Sequence, residues 1–527
     1  MAQRRHNFIS GAAVLALAVA VTKVLGALYK IPLGNLLDKE GMAHFYAAYN
    51  IYNLLLVLST AGLPLALSRL VSRAAAQGRR NAQRCIFRTA LALLAVIGAV
   101  CSAVMCLFPQ VLSGLLHDSL AAPAIRTLGP AVLFVCLTSA IRGYTQGLGD
   151  MTPTAVSQMT ESAGKLVIGL ALCLVLLHRG ADSSLCAAGA IAGVTAGSLL
   201  SLTVLTVFLL RRRDRAAVDV PPARSAVLRE LLTAGIPITL GAAGMSLITL
   251  LDQALVMSTL QNTLGYTEAA ATALYGEYTF GMTLFALPPS FIYPVTVSLV
   301  PDISAALARG DRPAAGRSAA AALKLTTLIA LPTGAGLSVL AGPILRLLYP
   351  AVPDTAAAAA YHLTILGIAC IFVCLMVATN GVLQAYGKEY IPVVTLLCGG
   401  ILKIITNYLM VGDPATNVRG APVSTLYCYG LIVVLNLIAI ARCVPERPSY
   451  LRLFARPVLI TAVMALAARS SYGLLARSLP ERWAVLPAIA VAVVVYGVLV
   501  LALGAVTRQD VLDLPKGEKI ARMLHLH

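Results

Sequence analysis

The chain has 527 residues, of which 59% are apolar and 12% are charged, and its mean hydropathy is +0.84. Soluble domains carry about 25% charged and about 45–50% apolar residues, so this composition excludes a soluble protein, which could not cover its surface with polar groups. The net charge of +18 does not indicate nucleic-acid binding, because the arginines cluster in short loops between apolar stretches, as in membrane proteins.

About 14 apolar stretches are each long enough to span a bilayer, which takes about 20 residues of helix. In chain order they are 8–29, 44–70, 86–108, 127–147, 156–178, 186–210, 231–257, 273–297, 321–342, 358–384, 392–411, 422–441, 457–475 and 485–506. The first exceeds the apolar core of a signal peptide, about 7–15 residues, so we expect a retained helix. The sequence predicts an all-α polytopic membrane protein.

The loops between these stretches differ in basic content. With the N terminus in the cytoplasm, the inside loops carry roughly three times as many Lys and Arg residues as the outside loops. An even number of spans then returns the C terminus to the same side. We expect a multi-pass membrane protein with both termini in the cytoplasm.

Two pairs of motifs repeat across the long charged, proline-bearing linker 211–230. Aligning Gly78 with Gly310, an offset of 232 residues, also aligns two further positions on the N-terminal side. A second alignment, at an offset of 238 residues, superimposes one set of three residues on another: Gln146, Gly149 and Lys165 on Gln384, Gly387 and Lys403.

Six-helix halves repeated in the same orientation are typical of transporters whose binding site lies between the halves near the membrane midplane. We therefore expect two six-helix bundles over 1–215 and 216–445. Two additional transmembrane helices are expected over 446–510, and a cytoplasmic tail over 511–527.

The sequence contains no motif of an enzyme active site: it has no Walker loop, no GxSxG and no HExxH. Its 11 cysteines are scattered, without a CxxC pair or a His/Cys cluster at metal-ligand spacing. We expect no enzymatic activity, no metal site and no cofactor, apart from Na⁺ or H⁺ as a coupling ion.

Basic residues inside apolar segments are the first candidates for a substrate-binding site, because a charge in the membrane is costly unless it has a function. Lys23 and Lys30 lie seven residues apart, on one face of the first helix. For Lys23 we favour a position in a cavity, whereas Lys30 is equally compatible with snorkelling to the outer interface. Lys165 and Lys403 occupy matching repeat positions.

Each of the other basic candidates has a structural alternative. Lys165 follows Glu161 by four residues, the favourable order for an intrahelical ion pair. Arg142 is a further substrate-binding candidate that is also compatible with a place at the cytoplasmic interface. Lys403 has only Asn407 one turn further along its helix.

Acidic and amide residues in the same segments are candidates for coupling or counter-charge: Glu161, Asp252, Glu277 and Asn407. Asp252 and Glu277 could bind a coupling cation or pair with the lysines, and Glu277 is also compatible with an interfacial position. The excess of cations favours an anionic ligand, and phosphate groups are well matched to ammonium and guanidinium.

Four stretches resemble the stage V sporulation protein B/YtgP branch of polysaccharide transporters, in the multidrug/oligosaccharidyl-lipid/polysaccharide (MOP) exporter superfamily, related to MurJ lipid II flippases. They are "TKVLGALYKIPLGNLL", "GMAHFYAAYNIYNLLLVLSTAGLPLALSRLVS", "RGYTQGLGDMTPTAVSQMTE" and "SLVPDIS". The resemblance implies two six-helix repeats around a V-shaped cavity and alternating access. It implies transport of an undecaprenyl-pyrophosphate-linked peptidoglycan precursor, lipid II, from the inner to the outer leaflet.

The resemblance also suggests roles for single residues. "TKVLG" places Lys23 at the basic position of the related motif on the first helix, whereas the next basic position is occupied by Tyr29 and Lys30 follows it. The expected partners are a lipid-linked anionic oligosaccharide, membrane lipids and a complex for cell-wall synthesis, and we expect no nucleic acid. We expect a monomer.

Other functions stay open at this point. The chain could move another undecaprenyl-linked glycan, or it could be a cation-coupled multidrug antiporter that uses Asp252 and Glu277. A membrane scaffold without transport activity is disfavoured, because ionisable residues inside its helices would bring it no benefit.

Overall fold

The computed structural model describes residues 18, 21–22, 24–211, 219–444 and 450–505, and this part of the chain is helical without strands. The helices are α1 (described over 24–36), α2 (Lys39–Thr60), α3 (Leu63–Ala76), α4 (Arg80–Leu107), α5 (Pro109–Leu115), α6 (Ala122–Gly147), α7 (Thr152–His178), α8 (Ser183–Arg211), α9 (Arg224–Ser258), α10 (Glu268–Phe285), α11 (Leu287–Ala308), α12 (Arg312–Val339), α13 (Ala341–Leu348), α14 (Pro353–Ala385), α15 (Tyr390–Val411), α16 (Gly420–Cys443), α17 (Tyr450–Leu475) and α18 (Glu481–Ala502). The predicted all-α polytopic membrane fold is confirmed.

Within the described residues, 12 helical segments are long and apolar enough to cross a membrane. Most of the predicted stretch 8–29 lies outside the described residues. The predicted stretch 273–297 is not one helix: it contains the end of α10 and the start of α11, which meet at Ala286. Pro288 and Pro289 follow this break, and proline has no N–H group with which to continue a helical hydrogen-bond ladder.

The internal repeat is visible in the lengths of the helices. Helices α4 and α12 both have 28 residues, and each is followed by a short helix of 7 or 8 residues, α5 or α13. Left-handed glycines occur at the aligned turns, where a side chain would be strained. The φ angles of Gly78 and Gly310 are 70° and 75°, and those of Gly149 and Gly387 are 83° and 70°.

Contacts between Cα atoms divide the chain into two compact units. Unit 1 comprises Met1–Thr279 and Asn407–Val418, and unit 2 comprises Phe280–Thr406 and Arg419–His527. The predicted domain ranges 1–215, 216–445, 446–510 and 511–527 follow the sequence repeat instead, and they stay a prediction.

In unit 1, helices α7 and α8 approach each other through glycines. A Cβ atom on Gly193 of α8 would lie 2.3 Å from the Cα atom of Gly169 on α7, and one on Gly197 would lie 2.5 Å from the carbonyl oxygen of Glu161. Small residues allow this separation between helices inside a membrane, where dispersion contacts rather than hydrophobic burial hold helices together. The backbone of α7 is therefore fixed against α8 along the turns that carry Glu161 and Lys165.

In unit 2, a buried amide joins three helices. Asn436 on α16 accepts a hydrogen bond from Thr395 Oγ1 of α15 at 2.8 Å. Its own amide nitrogen donates to Thr379 Oγ1 at 3.0 Å and to Asn380 Oδ1 at 2.8 Å, both on α14. We call these four residues the amide network.

The last two helices of unit 2, α17 and α18, pack against α12, where the Tyr496 hydroxyl donates to the Leu328 carbonyl at 2.7 Å.

The end of the linker between the repeats is bound to the start of α4. The Asp219 carboxylate accepts hydrogen bonds from the backbone N–H groups of Asn81 at 2.8 Å and Ala82 at 2.9 Å. Desolvation acts to raise the pKa of this carboxyl group, but the N–H donors outweigh it and hold the pKa below its ordinary value. Asp219 thus satisfies donors that a helix N terminus otherwise leaves without an intrahelical partner.

The Asp219 contact predicts a pH dependence. Since the folded-state pKa is depressed, the stabilisation is present above the unfolded-state pKa, about 3.9, and is lost as the pH falls through the folded value. Asp219→Asn should lower the thermal unfolding temperature of the detergent-purified protein at pH 7, and its difference from the unmutated protein should shrink in acid. Glu389→Gln, at an exposed carboxylate without a hydrogen bond among the described residues, is the control. A deficit independent of pH would contradict the assignment.

The close approach of α7 and α8 predicts a second effect. Gly193→Ala forces backbone to move, so we expect a loss of about 1–3 kcal/mol in the free energy of unfolding, the usual cost of overpacking. Thermal or denaturant unfolding in detergent measures it. Gly430→Ala on α16 is the matched control, because a Cβ atom there meets no atom within 4 Å. Equal effects of the two variants would show that the contact is not tight.

Candidate ligand-binding site

Lys30 of α1 points at two tyrosines of α2. Its Nζ atom donates to the Tyr46 hydroxyl at 3.1 Å and lies 4.6 Å from the centroid of the Tyr46 ring. It also lies 5.4 Å from the centroid of the Tyr49 ring. These contacts hold the ammonium against α2 within unit 1, and its place relative to the membrane interface stays a prediction.

Lys165 of α7 reaches the same aromatic group from another helix. Its Nζ atom lies 4.9 Å from the ring centroid of Tyr29 and 4.8 Å from that of Tyr49, and it donates to the Tyr49 hydroxyl at 3.4 Å. Tyr49 therefore contacts both ammonium groups. We call Tyr29, Tyr46 and Tyr49 the tyrosine cage.

Tyr29 is held in place by its contacts with α7 and α8. Its side chain is fully buried, and its hydroxyl donates to the carbonyl of Ala190 on α8 at 2.8 Å. Gly169 leaves room for the ring, since a Cβ atom there would lie 3.0 Å from Tyr29 Cε2. Tyr29 thus has a packing role in unit 1.

Arg142 and Glu161 form an ion pair beside the cage. Arg142 Nη2 on α6 lies 2.9 Å from Glu161 Oε2 on α7. The guanidinium also donates to Ser157 of α7 at 2.8 Å and to Ser201 of α8 at 3.0 Å. We call these four residues the arginine network. Glu161 therefore pairs across helices with Arg142, and the predicted alternative, an intrahelical pair with Lys165, is not formed.

The tyrosine cage holds its two cations without neutralising them. Among the described residues, neither Lys30 nor Lys165 makes an ion pair with a carboxylate. An ammonium over an aromatic face gains about 0.5–2 kcal/mol from the ring quadrupole, and the ring carries no net charge. The two ammonium groups are thus positioned to attract an anion.

Asp252 and Asn407 come together in a different part of unit 1. Asn407 Nδ2 of α15 donates to Asp252 Oδ1 of α9 at 3.0 Å, and both side chains are buried. The next residue of α9, Gln253, accepts a hydrogen bond from Asn50 at 2.7 Å. Lys403, one turn before Asn407, is only 5% exposed and belongs to unit 2.

Two predicted residues lie away from these clusters or outside the described part. Glu277 of α10 forms an ion pair with Lys39 at 3.0 Å, at the first residue of α2, with 40% of the Lys39 side chain exposed. The interfacial alternative for Glu277 stays a prediction. Lys23 lies outside the described residues, so its place relative to the cage stays a prediction.

Unit 1 also contains a buried acid–base pair that the sequence did not indicate. His44 Nδ1 of α2 lies 2.7 Å from Asp118 Oδ1, and the two side chains are 2% and 1% exposed. Asp118 falls in a loop between predicted spans, so charge inside a predicted span did not indicate it. The cage tyrosines were missed because aromatic residues in an apolar helix usually indicate packing. Their i, i+3 spacing on α2 was the available signal.

Comparisons with known proteins agree with this fold. The family model described as polysaccharide biosynthesis protein matches residues 8–307, and the MatE model matches residues 237–409. Three proteins of Bacillus subtilis (strain 168) are similar over most of their lengths. The membrane protein YabM is 26% identical over 99% of this chain and 97% of its own. Stage V sporulation protein B is 24% identical over 84% and 85%, and the lipid II flippase MurJ is 24% identical over 88% and 88%.

Two solved structures have the same fold at 15% sequence identity. The lipid II flippase MurJ in an inward closed conformation covers 93% of this chain and 98% of its own, with a TM-score of 0.71. An inward-facing multidrug resistance MATE family transporter of the MOP superfamily covers 84% and 98%, with a TM-score of 0.64. The predicted resemblance is confirmed, and the chain belongs to the polysaccharide biosynthesis protein family of the MOP superfamily.

Proposed function

We propose that the protein is a flippase that moves an undecaprenyl-pyrophosphate-linked saccharide, lipid II in the first instance, from the cytoplasmic to the outer leaflet of the bacterial plasma membrane. The observation that carries the proposal is the tyrosine cage with Lys30 and Lys165, two cations without a carboxylate partner among the described residues. The names of two relatives, lipid II flippase MurJ and stage V sporulation protein B, support it.

The chemistry of the cage suits a pyrophosphate group. Charge-assisted hydrogen bonds from ammonium groups to phosphate oxygens are short and about twice as strong as neutral ones. The two lysines converge on one tyrosine from different helices, so one bridged diphosphate can accept from both. Lys23 is proposed as a third donor on α1, and the lipid tail stays in the bilayer throughout.

Alternating access follows if the ligand contacts the two states unequally, because a ligand shifts an equilibrium only by its differential affinity. The membrane potential is a source of energy for the return of the empty carrier. It favours inward movement of positive charge by about 2.3 kcal/mol per charge per 100 mV. Na⁺ or H⁺ coupling through Asp252, which accepts a hydrogen bond from Asn407, is the proposed alternative drive.

Two other cargoes define alternative proposals. Another undecaprenyl-linked polysaccharide unit would use the same cations, because the pyrophosphate is common to these carriers. A cation-coupled multidrug antiporter is favoured by one specific observation, the match of the MatE model to residues 237–409, which contain the buried Asp252. We propose that the protein acts as a monomer, has both termini in the cytoplasm, and cooperates with a complex for cell-wall synthesis or sporulation.

Transport of a defined lipid tests the proposed function. Purified protein in proteoliposomes should move labelled lipid II between leaflets, as followed by its accessibility to a reagent that does not cross the membrane. Translocation of a different undecaprenyl-linked glycan, with lipid II left in place, would assign the first alternative. Drug efflux that depends on Asp252 and not on the lysines would assign the antiporter.

Removal of the cage cations should abolish most binding. Lys30→Gln and Lys165→Gln should each weaken lipid II binding roughly 10–100-fold, since a hydrogen bond to a charged group contributes about 1.5–3 kcal/mol. Binding to detergent-purified protein measures this. Lys388→Gln, at a lysine in the turn between α14 and α15, is the matched control. Unchanged binding in both cage variants, with normal folding, would remove the cage as the binding site.

A further inference from the structure

Two residues of the arginine network and two residues of the amide network occupy matching positions of the internal repeat. At the offset of 238 residues, Arg142 corresponds to Asn380, and Ser157 corresponds to Thr395. Each network joins three consecutive long helices of one unit, α6 to α8 in unit 1 and α14 to α16 in unit 2. The fold therefore uses a polar connection among three helices twice, at the same place in each repeat.

The two networks differ in charge. The amide network consists of amides and hydroxyls, and Asn436 at its centre is fully buried. The arginine network contains an ion pair whose side chains are 14% exposed at Arg142 and 25% exposed at Glu161. The repeat position of Glu161 is Gly399, where a Cβ atom would already lie 2.5 Å from Ile432 Cγ1. Unit 2 therefore has no room for a carboxylate at this position.

The joining of three helices does not depend on charged side chains. Amides and hydroxyls are sufficient to hold three helices together in unit 2, so holding helices does not require an ion pair in unit 1. A partly buried ion pair is also weak support for stability, because desolvation of the two charges offsets most of their attraction. The charges of Arg142 and Glu161 thus point to a role in binding.

The position of the pair indicates what it binds. Glu161 lies one turn before Lys165 on α7, and Lys165 is a cation of the tyrosine cage. Arg142 brings a guanidinium, whose fork of donors fits phosphate in a bidentate manner, and Glu161 occupies one of those donors. A diphosphate carries more negative charge than one carboxylate and can replace it on the guanidinium.

We propose that Glu161 is an internal competitor for the phosphate of the ligand: it occupies Arg142 in the empty site and is displaced when a prenyl diphosphate binds. The competition lowers the affinity for the ligand and speeds its release, as a transporter requires. This inference deepens the proposed function and rests on it, since it takes the ligand to be a diphosphate.

A double-mutant cycle tests the competition. The probe is farnesyl diphosphate, and its affinity for the full-length, detergent-purified protein is measured by calorimetry. Glu161→Gln keeps the shape and the hydrogen bond but not the charge, and it should tighten binding roughly tenfold. Arg142→Gln should weaken binding by a similar factor. In the Arg142→Gln background, Glu161→Gln should no longer tighten binding, because the competitor acts through the guanidinium.

Three results would overturn the proposal. The first is unchanged or weaker binding of the probe by Glu161→Gln. The second is an equal gain in affinity from Glu161→Gln with and without Arg142, and the third is no binding of the probe to any variant. An equal gain in both backgrounds would indicate a general electrostatic effect on the lysines. Thr395→Val in the amide network is the control, and it should lower the unfolding temperature without changing the affinity.

The double-mutant cycle and the lipid II translocation assay can fail independently of each other. A chain that binds farnesyl diphosphate with the expected coupling but does not translocate lipid II would disprove the proposed cargo and keep the role of Glu161. A chain that translocates lipid II but shows additive effects in the double-mutant cycle would keep the proposed cargo and disprove the role of Glu161. In the first case the dissociation rate of the probe should still fall in Glu161→Gln, because most changes of affinity within one site appear in that rate.

Discussion

The organisation of unit 1 depends on how a positive charge is held among apolar helices. A carboxylate partner would stabilise an ammonium there, but it would also cancel the charge and leave nothing for a ligand. The tyrosine cage provides a neutral alternative: ring faces and hydroxyls stabilise Lys30 and Lys165, and their charge stays available. Helices α1, α2 and α7 must all meet at Tyr49 for this to work. Their packing is therefore part of the proposed binding site.

The two repeats show which parts of this arrangement belong to the fold and which to the site. Helix lengths and left-handed turns recur at nearly constant offsets, so the backbone plan is common to both halves. The polar groups at matching positions differ between the halves: unit 1 carries an ion pair where unit 2 carries amides. Both halves have thus kept a polar network that joins three helices. Of these two networks, the one in unit 1 carries the anion-attracting charge.

The sequence predicted the elements that depend on composition and local pattern. Long apolar stretches, the repeat and the cations Lys165 and Lys403 within such stretches were all recognisable, because charge inside an apolar segment is rare. The partner of Glu161 was not predictable, since the local i, i+4 rule favours Lys165 and the actual partner lies on another helix. The stretch 273–297 was predicted as one span because hydropathy averages over the prolines that divide it.

The glycine contact between α7 and α8 has a consequence for the precision of the site. Lys165 is carried by α7, and the carbonyl that holds the Tyr29 hydroxyl belongs to Ala190 of α8. Because no side chains separate the two helices at Gly169 and Gly193, the backbone alone sets the separation between the helix that carries this cation and the helix that anchors the ring beneath it. At these two positions the separation between the backbone that carries Lys165 and the backbone that anchors the Tyr29 hydroxyl therefore does not depend on side-chain volume.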